Sequence, residues 1–183
     1  MILPVYIYGQ PVLRKITRDI DPGNYPNLKE LIGNMYETMH GADGVGLAAP
    51  QVGLEDRIFV VDLAPLANEE HPEFNNFKKV FINAHITERS GELVLVEEGC
   101  LSIHEKVPRE DKIRISYLDE NLQPHDETYE GYMARVIQHE YDHLDGIMFV
   151  DRISPLRKRM IKSKLSNMEK GKVVCDYKIK PMR

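Results

Sequence analysis

The clearest chemical pattern in the chain is a pair of histidines four residues apart, His139 and His143, with Glu140 between them. In a helix, residues at i and i+4 lie on one face, so both imidazoles can bind the same ion. Glu140 points to nearly the same side, where its carboxylate can reach a water beside that ion. The pattern predicts a catalytic divalent metal site. The alternative is a helix whose two histidines are structural and bond to carbonyls or carboxylates.

A catalytic metal usually has three protein ligands and one open position, so a third ligand is needed. Metalloproteases with the same helix pattern take it from a downstream Glu or His, yet no His follows His143 and the only later Glu is Glu169. Upstream, Cys100 follows the strand-like segment ELVLVEEG, from which a thiolate can project into a cleft. A single cysteine is more often an inert core residue. Because the histidine pair lacks a partner, Cys100 is the preferred third ligand.

These residues need a buried helix and strands around it. The pattern predicts a helix over 131–144, largely buried, with Gly146 beyond its end. Other expected elements are a helix over 26–40 stopped by a left-handed Gly41, a third helix from the Ser154 cap to about Gly171, strands at 57–63, 79–83, 92–97 and 112–118, and a surface insertion over 64–77. Strands and helices are segregated along the chain. This favours an α+β fold of mainly antiparallel sheets around a central metal-binding helix, with a C-terminal helix, in a single catalytic domain over 1–183.

Composition is that of a globular protein, with 42% hydrophobic and 29% charged residues. The N-terminus has neither a signal peptide nor a transit sequence, and two cysteines are too few for a disulfide scaffold, so we expect a cytoplasmic protein. The net charge of −5 is unevenly distributed, because residues 152–183 hold eleven Lys or Arg and two acids and carry +9. This basic segment indicates a polyanionic partner such as RNA. The alternative is a solvated helix face with a loose tail.

Three segments together resemble the signature motifs of the peptide deformylases, in the same order: GVGLAAPQ (44–51), EGCLS (98–102) and QHEYDHLDG (138–146). The segments PVLRK and DRISPLRKRMIKSKL also resemble the bacterial enzymes, so the similarity covers most of the chain. The departures are local. Residues 64–77 look inserted, His104 stands where Pro is common, and the loop from His104 to Arg109 looks shorter than in some relatives.

The resemblance implies hydrolysis of the N-formyl group of formyl-methionine on new polypeptides, giving formate and a free amine. It implies one divalent ion on Cys100, His139 and His143, with Glu140 as the proton carrier. The ion would be ferrous iron in the cell, while zinc, nickel or cobalt can occupy such a donor set in purified protein. The side-chain amide of Gln51 and the backbone N–H of Leu101 match the family's oxyanion donors.

By the same resemblance, the substrate is a nascent N-formylmethionyl peptide. Gly44 and Gly46 would let the backbone pair with it as an added strand. The pocket around the methionine would be formed by Val45, Val136 and His139, with Glu98, Leu101 and Arg109 nearby. The basic C-terminal segment could dock on ribosomal RNA. Two other functions remain open, an endopeptidase of the two-histidine class and a binding protein with a closed structural metal site.

Overall fold

The computed structural model describes residues 1–100 and 103–182. Its centre is a five-stranded antiparallel sheet in the order β2-β3-β4-β5-β6. The strands are β2 (Gly46–Ala48), β3 (Ile58–Asp62), β4 (Lys78–Cys100), β5 (Ile103–Leu118) and β6 (Pro124–Glu130), and a separate parallel pair joins β1 (Val5–Tyr6) to β7 (Ile179–Lys180). The helices are α1 (Leu28–Gly41), α2 (Gly131–Leu144), α3 (Pro155–Met160) and α4 (Lys162–Glu169). The expected α+β class with mainly antiparallel strands is confirmed.

The sheet is covered on both faces, which explains why β3 is buried along its whole length. Phe59 and Val61 face one way and share a core with Ile137 and Tyr141 of α2. The alternate residues Ile58 and Val60 face the other way and pack with Ile32, Met35 and Met39 of α1. This is the two-residue period of a strand. A third core, under the N-terminal arm (residues 4–14) and α4, includes Leu13, Phe149 and Leu165.

Helix α2 follows β6 without a loop, through a turn at Gly131, whose φ is +62°. It runs over the predicted range, 131–144, and ten of its fourteen residues are buried. It packs against β2, β3, β5 and β6, so the motif residues lie inside the fold. The expectation of a central, largely buried helix is confirmed.

Several strand predictions were wrong in extent. The segments predicted at 79–83 and 92–97 belong to one long strand, β4, which bends through register shifts, the last of them between Ser90 and Leu93. The loop expected from His104 to Arg109 is part of β5, where Gly99 pairs with His104. Strand β6 was not predicted, because only Tyr129 of its seven residues is buried.

The helical predictions also need corrections. Gly41 does not stop α1 in a left-handed conformation; it is the last helical residue, and the left-handed residue is Asp43, with φ +52°. The single helix expected after Ser154 is two helices, α3 and α4, separated at Ile161. Ser154 is the predicted cap, since its hydroxyl accepts a hydrogen bond from the Arg157 N–H at 3.2 Å.

The 64–77 segment is only partly a surface insertion. It contains short 3-10 turns at Ala64–Leu66 and Pro72–Asn76. Phe74 and Phe77 are buried against the core beside α2. Among residues 1–100 and 103–182, no helix is both long and apolar enough to cross a lipid bilayer.

Candidate active site

The predicted metal-binding residues lie on the inner part of α2. The ring centroids of His139 and His143 are 5.4 Å apart, with the rings inclined at 72°. Glu140 and His143 are buried, at 5% and 4% exposure, while His139 is partly open. One helix therefore brings two imidazoles and a carboxyl group together, as their spacing predicted.

A cavity of about 470 Å³ lies against this face of α2. One wall is the chain from Ala42 to Leu47, which includes the predicted substrate residues Gly44, Val45 and Gly46. A second wall is the end of β4, from Glu97 to Cys100. Helix α2 contributes Val136, His139 and Glu140. Segments that are far apart in sequence thus meet at one cavity.

His139 is held in a fixed orientation by Glu98. The distance from its Nδ1 to Glu98 Oε1 is 2.7 Å, and a donating Nδ1–H leaves Nε2 with a free lone pair. A carboxylate behind a histidine is the usual support of a metal-binding imidazole. Burial alone would lower the pKa of His139, but the hydrogen bond to Glu98 and the nearby carboxylates raise it. Glu98 therefore lines the cavity and also sets the tautomer and direction of the ring.

Arg109 lies in the protein interior, since it is only 2% exposed. Its Nε and Nη2 donate to the two oxygens of Glu98 at 2.6 and 2.9 Å, and its Nη1 donates to Asp142 at 2.7 Å. Arg135 donates to Glu98 at 2.8 Å, and Arg152 donates to Asp142 at 2.7 Å. Burial alone would raise the pKa of Glu98, but Arg109 and His139 hold it well below its usual range. These five residues, Glu98, Arg109, Arg135, Asp142 and Arg152, form the arginine–carboxylate network.

The network was missed at the sequence level, except that Glu98 and Arg109 were placed near the substrate. Its two acids and three arginines lie in segments that also contain buried residues. Because charged residues are fully buried only when they are paired, these five residues could have suggested the network. For Arg109, the buried ion pairs favour a supporting role over contact with substrate.

Two buried polar atoms have no hydrogen-bond partner among the described residues, His143 Nδ1 and Glu140 Oε2. Such atoms are rare, and each calls for an explanation such as a missing ion or water. Burial, and then the charge of His139, lowers the pKa of His143 to about 3, so its ring is neutral, which is the form that binds metals. Burial raises the pKa of Glu140 to about 7, a range suited to carrying a proton. A thiol and two imidazoles also suit a borderline-soft divalent ion. The residues therefore fit a metal centre.

Cys100 lies at the end of β4, on the same cavity as His139 and Glu140. Burial, and then the charge of Glu140, raises the pKa of its thiol to about 11. Within the described ranges, no three His, Cys, Asp or Glu side chains are grouped closely enough to hold an ion as they stand. Leu101, predicted as a backbone donor, lies outside the described residues.

Gln51 follows β2 in the 3-10 turn Ala49–Val52 and lines the cavity. Its Oε1 accepts a hydrogen bond from the Ala48 N–H at 2.9 Å. Because a backbone N–H can only donate, that contact fixes the orientation of the amide and leaves its NH₂ group free to donate. The site thus offers an oriented amide donor on the same cavity as the buried carboxyl group of Glu140.

Gly46 makes room for Glu140. A Cβ atom added at Gly46 would lie 2.6 Å from both Cγ and Oε1 of Glu140, closer than such contacts occur. At Gly44 the nearest atom would be 3.5 Å away, which is ordinary contact. Of the two glycines, Gly46 is the one that the position of the Glu140 carboxyl requires.

Comparison with known proteins gives one consistent family. The family model described as polypeptide deformylase matches residues 2–159. The chain is 53% identical to a peptide deformylase of Christiangramia forsetii over 98% of this chain and 96% of that protein. It is 50% identical to one of Flavobacterium johnsoniae with the same coverage.

Solved structures give the same picture. The crystal structure of a peptide deformylase from Legionella pneumophila matches with a TM-score of 0.80 at 34% identity, covering 94% of this chain and 98% of that one. The peptide deformylase from Thermus thermophilus matches with a TM-score of 0.80 at 39% identity, covering 93% and 99%. The likeness thus extends over sequence and fold together.

Proposed function

Since this chain belongs to the polypeptide deformylase family, whose enzymes remove the N-formyl group from nascent peptides, we propose that Cys100, His139 and His143 hold its metal ion and that Glu140 carries the proton. The chain is a metal-dependent hydrolase of linear amides, as its family is. We assign this chemistry to one catalytic domain over 1–183.

The observation that carries the ligand assignment is the state of the two imidazoles. Glu98 fixes the ring of His139 from behind, and His143 is a neutral, buried ring whose Nδ1 has no hydrogen-bond partner among the described residues. Cys100 is the thiol on the cavity that His139 lines. When bound there, a divalent ion supplies Lewis acidity, which lowers the pKa of a nearby water and polarises a carbonyl group.

Glu140 moves the proton in this proposal. Its carboxylate takes a proton from the attacking water and later delivers it to the nitrogen that leaves as the new amine. The balance is one formyl amide and one water giving formate and a free amino terminus. The burial that raises the pKa of Glu140 to about 7 makes both transfers accessible near neutral pH.

Gln51 stabilises the negative charge that develops on the formyl oxygen as its carbon becomes tetrahedral. Its amide is already oriented by the Ala48 N–H, so little reorganisation is needed when the charge appears. One such donor is typically worth about 3–4 kcal/mol of activation free energy. We assign the second donor to the backbone N–H of Leu101, on the family resemblance.

The peptide substrate lies along the wall formed by Gly44, Val45 and Gly46. Strand β2 is at the end of the sheet order, so one of its edges has no neighbouring strand among the described residues. Such an edge can pair with an extended peptide. The apolar side chains of Val45 and Val136 receive the methionine side chain. Glu98 acts as a positioning residue for His139, and Arg109 supports it.

We propose ferrous iron as the ion in the cell, with zinc, nickel or cobalt as replacements in purified protein. The experiment is to load metal-free protein with each ion without oxygen and to measure formate release from formyl-Met-Ala-Ser. We expect the iron form to be the most active under these conditions and to lose activity in air. No formate release from iron-loaded protein would contradict the assigned site.

Gly46→Ala is expected to lower kcat by roughly 100-fold, which is the cost of misplacing a catalytic group by about 1 Å. The added methyl group would overlap the Glu140 carboxyl group and push it away from the reacting water. Formate release at saturating substrate measures this effect. Metal content should stay close to that of the wild type.

Two further glycines make the result specific. At Gly33, on α1, an added Cβ meets no atom of the described residues within 4 Å, so Gly33→Ala should leave kcat unchanged. Gly44→Ala has room beside its neighbours and should act on KM, since Gly44 touches substrate in our proposal. An unchanged kcat in Gly46→Ala would contradict the assigned place of Glu140.

We propose that the basic segment 152–183 docks on ribosomal RNA and that the enzyme works in the cytoplasm, where nascent chains emerge. A groove of about 450 Å³ between the N-terminal arm and helices α3 and α4 is lined by Lys158, Arg159 and Lys162, among others. Clustered cations on one surface favour a polyanion.

Charge reversal at Lys162 and Lys164, both exposed on α4, is expected to weaken ribosome binding by at least about ten-fold. Deformylation of a free tripeptide should not change. Reversing Lys29 and Lys106, which are exposed elsewhere, is the control for overall charge. Co-sedimentation with ribosomes at several salt concentrations measures the effect. Equal binding by both double variants would exclude docking through α4.

A further inference from the structure

The chain after α4 folds back along the protein. Gly171, with φ +71°, turns it, and the residues from Lys172 to Met182 then alternate between exposed and partly buried positions. This is the two-residue period of an extended segment lying on a surface. The inward members include Val173 and Ile179, which pack against the core under the N-terminal arm. The family model ends at residue 159, so this C-terminal tail lies beyond it.

Hydrogen bonds fix the C-terminal tail in place. Strand β7 pairs in parallel with β1, and the Val5 N–H donates to the Lys178 carbonyl at 2.9 Å. The side-chain amide of Gln10 donates to the carbonyl of Pro181 at 2.6 Å and to that of Lys180 at 3.2 Å. The Met182 N–H donates back to the Glu169 carbonyl at 3.2 Å. The second half of the tail, from Lys178 to Met182, is therefore held on the protein.

Tyr177 is an inward member of the tail, and its side chain lines the same cavity as Cys100 and Glu140. Val5 of β1 lines this cavity too, so the N-terminal arm and the tail contribute to one wall. The Tyr177 carbonyl accepts a hydrogen bond from the Cys175 thiol at 3.3 Å. A phenol offers an apolar ring and a hydroxyl donor, a combination that suits contact with a peptide chain.

The site assigned above leaves this wall without a role. The formyl group lies at Glu140 and Gln51, and the methionine side chain at Val45 and Val136. Resting on that assignment, we propose that Tyr177 is a specificity-determining residue that contacts the substrate residues following the formyl-methionine. The tail would thus make the enzyme sensitive to peptide length.

The test compares formyl-Met-amide, formyl-Met-Ala and formyl-Met-Ala-Ser as substrates. Tyr177→Ala is expected to raise KM for the tripeptide about ten-fold, which corresponds to about 1.4 kcal/mol of lost contact. KM for formyl-Met-amide should change less than about two-fold, and kcat should be unchanged for all three substrates. Tyr177→Phe keeps the ring and removes only the hydroxyl, so its comparison with Tyr177→Ala separates the contributions of the two groups to KM. Gln10→Ala, which releases the end of the tail, should raise KM for the tripeptide in the same direction.

Val174→Ala is the matched control, because Val174 is in the same tail and 99% exposed. Calorimetric binding of the product peptide Met-Ala-Ser gives a readout that needs no turnover, and Tyr177→Ala should weaken it about ten-fold. Wild-type formate release tests the assigned site, whereas only the difference between variants tests Tyr177. An equal rise in KM for all three substrates, or a change confined to kcat, would overturn the proposal. It would also be overturned if neither KM nor the binding of the product peptide changed.

Discussion

Glu140→Gln should lower kcat for formate release about 1,000-fold while metal content stays that of the wild type. General acid–base catalysis contributes about 100- to 10,000-fold, and the amide keeps the shape of the side chain but cannot carry the proton. The buried carboxyl group has an oxygen without a partner among the described residues, so its removal should not lower the melting temperature. Lost activity with retained metal and retained stability is the expected combination.

The control for Glu140→Gln is Glu130→Gln, which removes an exposed carboxylate just before α2 and should leave kcat unchanged. If the metal site were purely structural, Glu140→Gln would affect stability only and would not lower formate release. Wild-type formate release by that variant, fully loaded with metal, would therefore remove Glu140 from the mechanism.

Cys100→Ser is expected to lower metal affinity more than about 100-fold and to abolish turnover with it. Even residues that only support a ligand typically cost about 10- to 100-fold in affinity, and loss of a thiolate ligand should exceed that. A serine hydroxyl has nearly the same size, but it does not ionise as a thiol does beside a cation. Metal content after dialysis, and formate release before and after reloading, measure the two effects.

The chain provides its own control, because its second cysteine, Cys175, is in the C-terminal tail. Cys175→Ser should keep the metal and the activity. An endopeptidase of the two-histidine class would take its third ligand from downstream, so Cys100→Ser would then retain the ion. Retained metal in that variant would contradict the ligand set.

The sequence predicted α2 and its burial correctly because the pattern of the helix is local. His139, Glu140 and His143 recur on one face, and the apolar residues Met133, Ile137, Tyr141 and Leu144 recur on another. The wrong predictions involve information that the local sequence lacks. Strand β6 is polar at most positions, and it is a strand because it pairs with β5. The His104–Arg109 segment was expected to be a loop, yet its pairing with the end of β4 makes it a strand. Whether a polar segment finds a partner is decided by tertiary contacts.

The candidate site likewise contains residues that the local sequence predicts and residues that it does not. The candidate residues for the chemistry could be predicted from their types and spacing, since His139, Glu140 and His143 share one helix face. The residues that hold them were largely missed. Arg109 was placed near the substrate, but it is buried against Glu98 and Asp142. The contact of Gly46 with Glu140 and the place of Tyr177 in the wall depend on distant segments meeting. Contacts between segments that are distant in sequence leave no periodic pattern in the chain.

The contacts of Arg109 have a consequence for how the site forms. One planar side chain joins β4 through Glu98 and α2 through Asp142, and it comes itself from β5. A lysine at this position would bring a single point charge and could not make the hydrogen bonds by which the planar guanidinium joins both carboxylates. The entropy of aligning helix and strands is thus lost when the polypeptide folds, before any ion arrives. The carboxylate support behind His139 is therefore built by folding itself.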